Sequence, residues 1–164
     1  MKKSKRKITI YTDGGSLGNP GPGGYGAVLI SGNRRKELSG GFRLTTNNRM
    51  ELLAVIKALD ELNPKYSYEV DVYSDSRYIV DAINKGWIES WKKNNWLTKN
   101  GEHRTNHDLW KRLDELRDKH DVRFHWVKGH DGIEENEVCD QLSKKSAAQE
   151  DLPADVEYEK EQSK

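Results

Sequence analysis

The chain has 164 residues, of which 34% are hydrophobic and 34% charged, with a formal net charge of +1. That length allows one domain with a sizeable core, and no apolar run approaches the ~20 residues of a membrane-spanning helix. A single cysteine, Cys139, excludes an internal disulfide framework and a cysteine-based zinc site, and it fits a reducing, cytoplasmic setting.

Charge is uneven along the chain. Residues 150–164 hold six acids and two lysines, while the first 149 carry 26 basic against 21 acidic residues, a net +5. The composition divides the chain into a basic leader over residues 1–6, a folded body over 7–149 and an acidic tail over 150–164 that is expected to be disordered. No apolar signal segment follows the leader. A basic body is weak support for a polyanionic partner, and an ordinary mixed surface explains it equally well.

From Lys7 to Thr12, Ile8 and Ile10 alternate with polar residues, as in a strand. The strand is expected to end on Asp13, and a glycine-rich loop from Gly14 to Gly23 follows. Gly24 to Ile30 forms a second apolar run, Ser31-Gly32-Asn33 a turn, and Arg35 to Leu44 a third strand expected at a sheet edge. Such short connections favour antiparallel hairpins. Thr45-Thr46-Asn47-Asn48 then offers caps, and from Arg49 the apolar period changes to that of a helix buried on a wide face and ending before Pro64. Glu51 falls in its first turn, where a carboxylate also suits the helix dipole.

Tyr66 to Ser74 is the next strand, and again an acid follows, Asp75. A helix crossing between two strands makes them parallel, so Asp13 and Asp75 should sit side by side. After a short helix from Arg77 comes a segment in which Trp87, Trp91 and Trp96 are interleaved with Lys85, Lys92, Lys93 and Lys99. Tryptophans packed on a core under solvated lysines would explain it; so would a basic element that grips a phosphate backbone. A helix from about Thr105, a strand over Val122–Val127, the polar loop Lys128-Gly129-His130-Asp131-Gly132 and a helix from Asn136 to about Ala148 complete the body. Cys139, beside Asp140, reads as a small buried hydrophobe.

Asp13, Glu51, Asp75 and Asp140 are each unremarkable alone. Crowded together they would repel, so a cluster of them implies a hard divalent cation, Mg²⁺ or Mn²⁺. Two such ions can clamp the attacking and leaving oxygens of a phosphodiester.

The order of motifs Thr12-Asp13-Gly14, Gly18-Asn19-Pro20-Gly21, Thr45-Thr46-Asn47-Asn48-Arg49-Met50-Glu51, Ser74-Asp75-Ser76, Trp91-Lys92-Lys93, Lys128-Gly129-His130 and Asn136-Glu137-Val138-Cys139-Asp140 resembles the type 1 ribonuclease H family over residues 7–149. The resemblance implies an α/β ribonuclease H-like fold in three layers, with a mixed five-stranded sheet of order 3-2-1-4-5 flanked by helices. It implies hydrolysis of the RNA strand of RNA–DNA hybrids by two-metal-ion catalysis, largely independent of sequence, leaving 5′-phosphate and 3′-hydroxyl ends. Asp13, Glu51, Asp75 and Asp140 would be the metal ligands, with Mg²⁺ the expected ion and Mn²⁺ a substitute. His130 would move protons or release product, and Asn136 would support the ligands. The substrate contacts implied are Gly14, Gly15 and Ser16 with Asn47 at the ribose 2′-hydroxyl, Asn19 and Thr46 at a DNA-strand phosphate, and Asn47 and Asn48 in the minor groove. Trp87, Trp91, Lys92 and Lys93 would cradle the DNA strand. Arg77 stands where many relatives carry a glutamine, and a cation there suits a phosphate. The partner expected is a hybrid duplex, with no membrane, and the protein is expected to be a monomer. A non-catalytic hybrid-binding module is disfavoured by the four acids, since binding alone needs no cluster that repels phosphate. A nuclease acting on DNA only is disfavoured by Asn47, Asn48 and the basic segment.

Overall fold

The structure, a computed structural model, describes residues 6–129 and 132–163. Strands β1 (Arg6–Ser16), β2 (Gly21–Ser31) and β3 (Arg34–Thr45) form an antiparallel meander. Helix α1 (Asn47–Asp60) crosses to β4 (Tyr68–Ser74), which pairs in parallel with β1. Helices α2 (Arg77–Asn84), α3 (Trp87–Lys93) and α4 (His107–Lys119) then lead to β5 (Asp121–Trp126), parallel to β4. Helices α5 (Glu134–Ala147) and α6 (Val156–Gln162) follow. The sheet order β3-β2-β1-β4-β5 is the one expected, with β3 at an edge. Among the described residues no helix is long and apolar enough to cross a membrane.

Local chemistry accounts for the elements. The β2–β3 hairpin turns through Gly32 at φ +61°, a conformation that favours glycine. Thr46 caps α1, its hydroxyl oxygen accepting from the Arg49 N–H at 3.2 Å. From Met50 to Leu59, α1 buries every residue except Glu51 and Lys57 more or less completely. That apolar face belongs to the main core with Ile10, Val70, Val72, Leu113 and Trp110. Each large side chain buried in this way contributes roughly 1.5–3 kcal/mol. Trp110 is fully buried with its indole N–H donated to Tyr78 Oη at 3.0 Å, so its one polar group keeps a partner.

The expectation of a disordered acidic tail is overturned. Asp155 is buried, caps α6 and accepts from Thr45 Oγ1 at 2.7 Å and from Arg49 Nε at 2.8 Å. Arg43 donates from Nε and Nη2 to the Glu159 carboxylate and from its backbone N–H to the Pro153 carbonyl. Composition alone counted the tail's charges as solvated. The cations that organise them lie a hundred residues earlier, on β3 and α1.

Candidate active site

Asp13 does not end its strand. Strand β1 runs on to Ser16 against β2, but its parallel pairing with β4 stops at Tyr11↔Tyr73. Asp13 and Asp75 each lie two residues past that last pair, so register brings their carboxylates together. Glu51 arrives from α1, on the other side of the sheet from α5. Its approach depends on Gly14, where a Cβ would lie 2.4–2.6 Å from the backbone of Met50 and Glu51. The glycine after Asp13 is thus needed first for helix packing. Gly26, which faces Asp13 across the β1–β2 ladder, does the same for α5: a Cβ there would lie 2.6 Å from the Cys139 carbonyl. One glycine on each face lets a helix settle against the strands, and Glu51 and Asp140 reach the same cleft.

Asp13, Glu51 and Asp75 each place a carboxylate oxygen within 4.8 Å of the other two. Asp140 lines the cleft beside them, outside that group, with its Oδ2 3.0 Å from Lys144 Nζ one helical turn on. Burial and then the neighbouring Asp75 push the Asp13 carboxyl up to about 7, against the pull of the Gly14 N–H, which donates to Asp13 Oδ1 at 2.9 Å. Burial first, then Asp13 and Asp75, hold Glu51 well above the ordinary carboxylate range. Four buried side-chain polar atoms lack a partner among the described residues, and three surround this cluster: Glu51 Oε2, Thr12 Oγ1 and Asn136 Oδ1. Thr12 and Asn136 share a small recess with Asp13, Asp75, Glu137 and Asp140. Orphaned buried acceptors and mutually repelling carboxylates form an all-oxygen donor set, which fits a hard divalent cation.

The cleft, about 550 Å³, also holds Gly14, Gly15, Ser16, Asn47, Asn48 and Arg77. Asn47 Oδ1 accepts from the Ser16 N–H at 2.7 Å and from the Ser16 hydroxyl at 3.1 Å, which leaves the amide Nδ2 to offer. The Asn47 N–H donates to Asn19 Oδ1 at 3.1 Å, tying the β1–β2 loop to the start of α1. The Arg77 guanidinium lies 4.0 Å from the centre of the Trp126 ring, whose N–H donates to the Asp75 carbonyl. Asn19, Thr46 and Asn48 line a neighbouring groove with Arg104 and Asn106. His130 lies outside the described residues.

The tryptophan–lysine segment divides between the two readings left open for it. Trp91 packs edge-on to Trp110, Trp96 is buried, and Lys92 Nζ is 2.8 Å from Asp114. Trp87 and Lys93 are exposed. Sequence reasoning missed Thr12, Lys144 and Arg104. Each had a signal: Lys144 its i,i+4 spacing from Asp140, Thr12 its place beside Asp13, and Arg104 its place in the basic tryptophan–lysine stretch.

The RNase H family model matches residues 5–148. A protein named Ribonuclease H from Syntrophus aciditrophicus is 57% identical over 157 residues, covering 96% of this chain and 90% of its own. One of the same name from Rippkaea orientalis is 55% identical, covering 97% and 96%. Among solved structures, LC9-RNase H1, described as a type 1 RNase H with the type 2 active-site motif, is 30% identical with a TM-score of 0.80 over 90% of this chain and 74% of that one. LC11-RNase H1, solved in complex with RNA/DNA hybrid, is 28% identical with a TM-score of 0.67 over 85% and 96%.

Proposed function

The chain belongs to the ribonuclease H family, and from that premise we propose that it cleaves the RNA strand of RNA–DNA hybrids at the Asp13–Glu51–Asp75 cluster with divalent-cation help. The single observation that carries the site is the crowding of three carboxylates within 4.8 Å, with Asp13 raised to about 7. Asp13, Glu51 and Asp75 would hold the cation, with Asp140 across the cleft free to join them by exchanging Lys144. Mg²⁺ is the expected ion, two per site with substrate, and Mn²⁺ the substitute. When bound, such ions stabilise the charge that develops on the phosphodiester and lower the pKa of water.

Water adds in line to the scissile phosphorus and the P–O3′ bond breaks. One fragment keeps a 3′-hydroxyl and the other a 5′-phosphate. The chain's own part is positioning. The Ser16–Asn47–Asn19 links hold the loop and the α1 start as one surface, from which Asn47 Nδ2 donates to a base edge or a 2′-hydroxyl. Asn19 and Thr46 hold a DNA-strand phosphate, Asn48 reaches the minor groove beside Asn47, Arg77 meets a phosphate of the RNA strand, and Trp87 and Lys93 meet the outer DNA backbone. Asn136 and Thr12 support the acids from behind. His130 serves proton movement or product release. Backbone contacts of this kind carry no base code, so cleavage is largely sequence-independent. A monomer acting in the cytoplasm completes the reading. The test is a cleavage assay on RNA–DNA, RNA–RNA and DNA–DNA duplexes with Mg²⁺ and with EDTA. Only the RNA strand of the hybrid should be cut, and only with Mg²⁺. Cutting of DNA–DNA, or of the hybrid in EDTA, would reject the reading.

A further inference from the structure

We propose that α6 is an acidic wall on the strand-binding groove, and that Glu157 and Glu161 limit how tightly a hybrid is held. The inference rests on the reading that Asn19 and Thr46 contact a DNA-strand phosphate, with Asn48 beside them in the minor groove. Those three residues line a groove of about 490 Å³ together with the cations Arg49 and Arg104 and the acids Asp108, Glu157 and Glu161. Carboxylates are the wrong charge for a surface that must accept a polyanion. At ~0.1 M salt the screening length is about 10 Å, so groups sharing this groove feel a phosphate placed in it.

Their position is built rather than incidental. Asp155, just before α6, is buried between Thr45 and Arg49. On α6 itself Glu159 takes a two-pronged bond from Arg43. These anchors come from β3 and α1, the elements that flank Thr46. The helix is therefore fixed relative to the strand contacts, with Glu157 and Glu161 lining the groove and Glu159 bonded to Arg43. A limit on affinity speeds release of cut hybrid as well as weakening capture.

The test uses the full chain with the Glu157→Gln/Glu161→Gln double variant, which leaves Asp155 and Glu159 in place. Binding of a fluorescein-labelled RNA–DNA hybrid is read by anisotropy in EDTA across a salt series, with Asn48→Ala as a probe of the strand contacts in the same groove and thermal melts as the folding control. At low salt the double variant should bind about two- to five-fold tighter, the size expected for relief of exposed like-charge repulsion, and the gap should close as salt rises. Glu157→Lys should tighten binding further. Unchanged or weaker binding by the double variant, with Asn48→Ala weakening it, would overturn the wall and leave the strand contacts standing. No response from either variant would remove the strand from this groove and overturn both. Tightening that is equal at every salt concentration would overturn the electrostatic cause.

Discussion

Two groups of carboxylates among the described residues meet opposite electrostatic surroundings: one closes on Arg49 and the other lines the cleft around Asp13 and Glu51. Asp108 and Asp155 close on Arg49, which donates to both at 2.8–3.1 Å. Burial pushes Asp108 up, but the Arg49 hydrogen bonds and charge outweigh it and hold it below its ordinary value. Among the described residues no side-chain cation pairs with Asp13 or Glu51, and burial with repulsion from neighbouring acids raises both. The first cluster joins α1, α4 and the C-terminal helix, which is a structural task. The second crowds oxygen donors against one another in a cleft, which is a binding task. The difference shows which buried acids hold the fold together and which hold a ligand.

The largest expected effect lies at the second cluster. Asp13→Asn should reduce hybrid cleavage by more than about 100-fold, beyond what loss of a mere supporting group removes, while hybrid binding survives. Cleavage at the parent rate would make the cluster another structural one. At the first cluster, Arg49→Met should strip the ion-pair partner from buried Asp155 and half-buried Asp108 and lower unfolding free energy by about 3–5 kcal/mol in urea titration. A change under about 1 kcal/mol would erase the contrast. The pH dependences should also oppose. Asp13 keeps its proton up to about 7 when folded but only to about 3.8 when unfolded. Without divalent cation, stability should therefore fall as pH rises from 4 to 7, and Asp13→Asn should flatten that fall. The stability contributed by ionised Asp108 is instead present above pH 3.8 and lost as pH falls below it. Melts of Asp13→Asn and the parent across pH 4–8 check the sign. The smallest effect concerns the outer contacts. Lys93→Ala should lower the salt slope of hybrid binding by about 1. Lys92→Ala should lower it less, because its ammonium is already on Asp114.

The strands, the hairpins and the parallel crossover were legible because period, turn residues and the intervening helix agree there, while the full sheet order came from the family resemblance. The acids were legible through their motif context and their places near strand and helix ends. Less could be read where a residue's partner is remote. The tail looked solvated because Arg43, Thr45 and Arg49 are far away in sequence. Trp91 and Lys92 looked available because Trp110 and Asp114 lie on another helix. Gly14 looked like a turn or a ligand approach, and only the packing of α1 reveals what it must admit.

The claim that the second cluster awaits a cation from solution is tested most directly by thermal melts at neutral pH with and without Mg²⁺, on the parent and on Asp13→Asn. A ligand that binds only the folded chain raises its melting temperature. Mg²⁺ should stabilise the parent and leave the variant unmoved. No shift in the parent, or the same shift in both, would contradict the account.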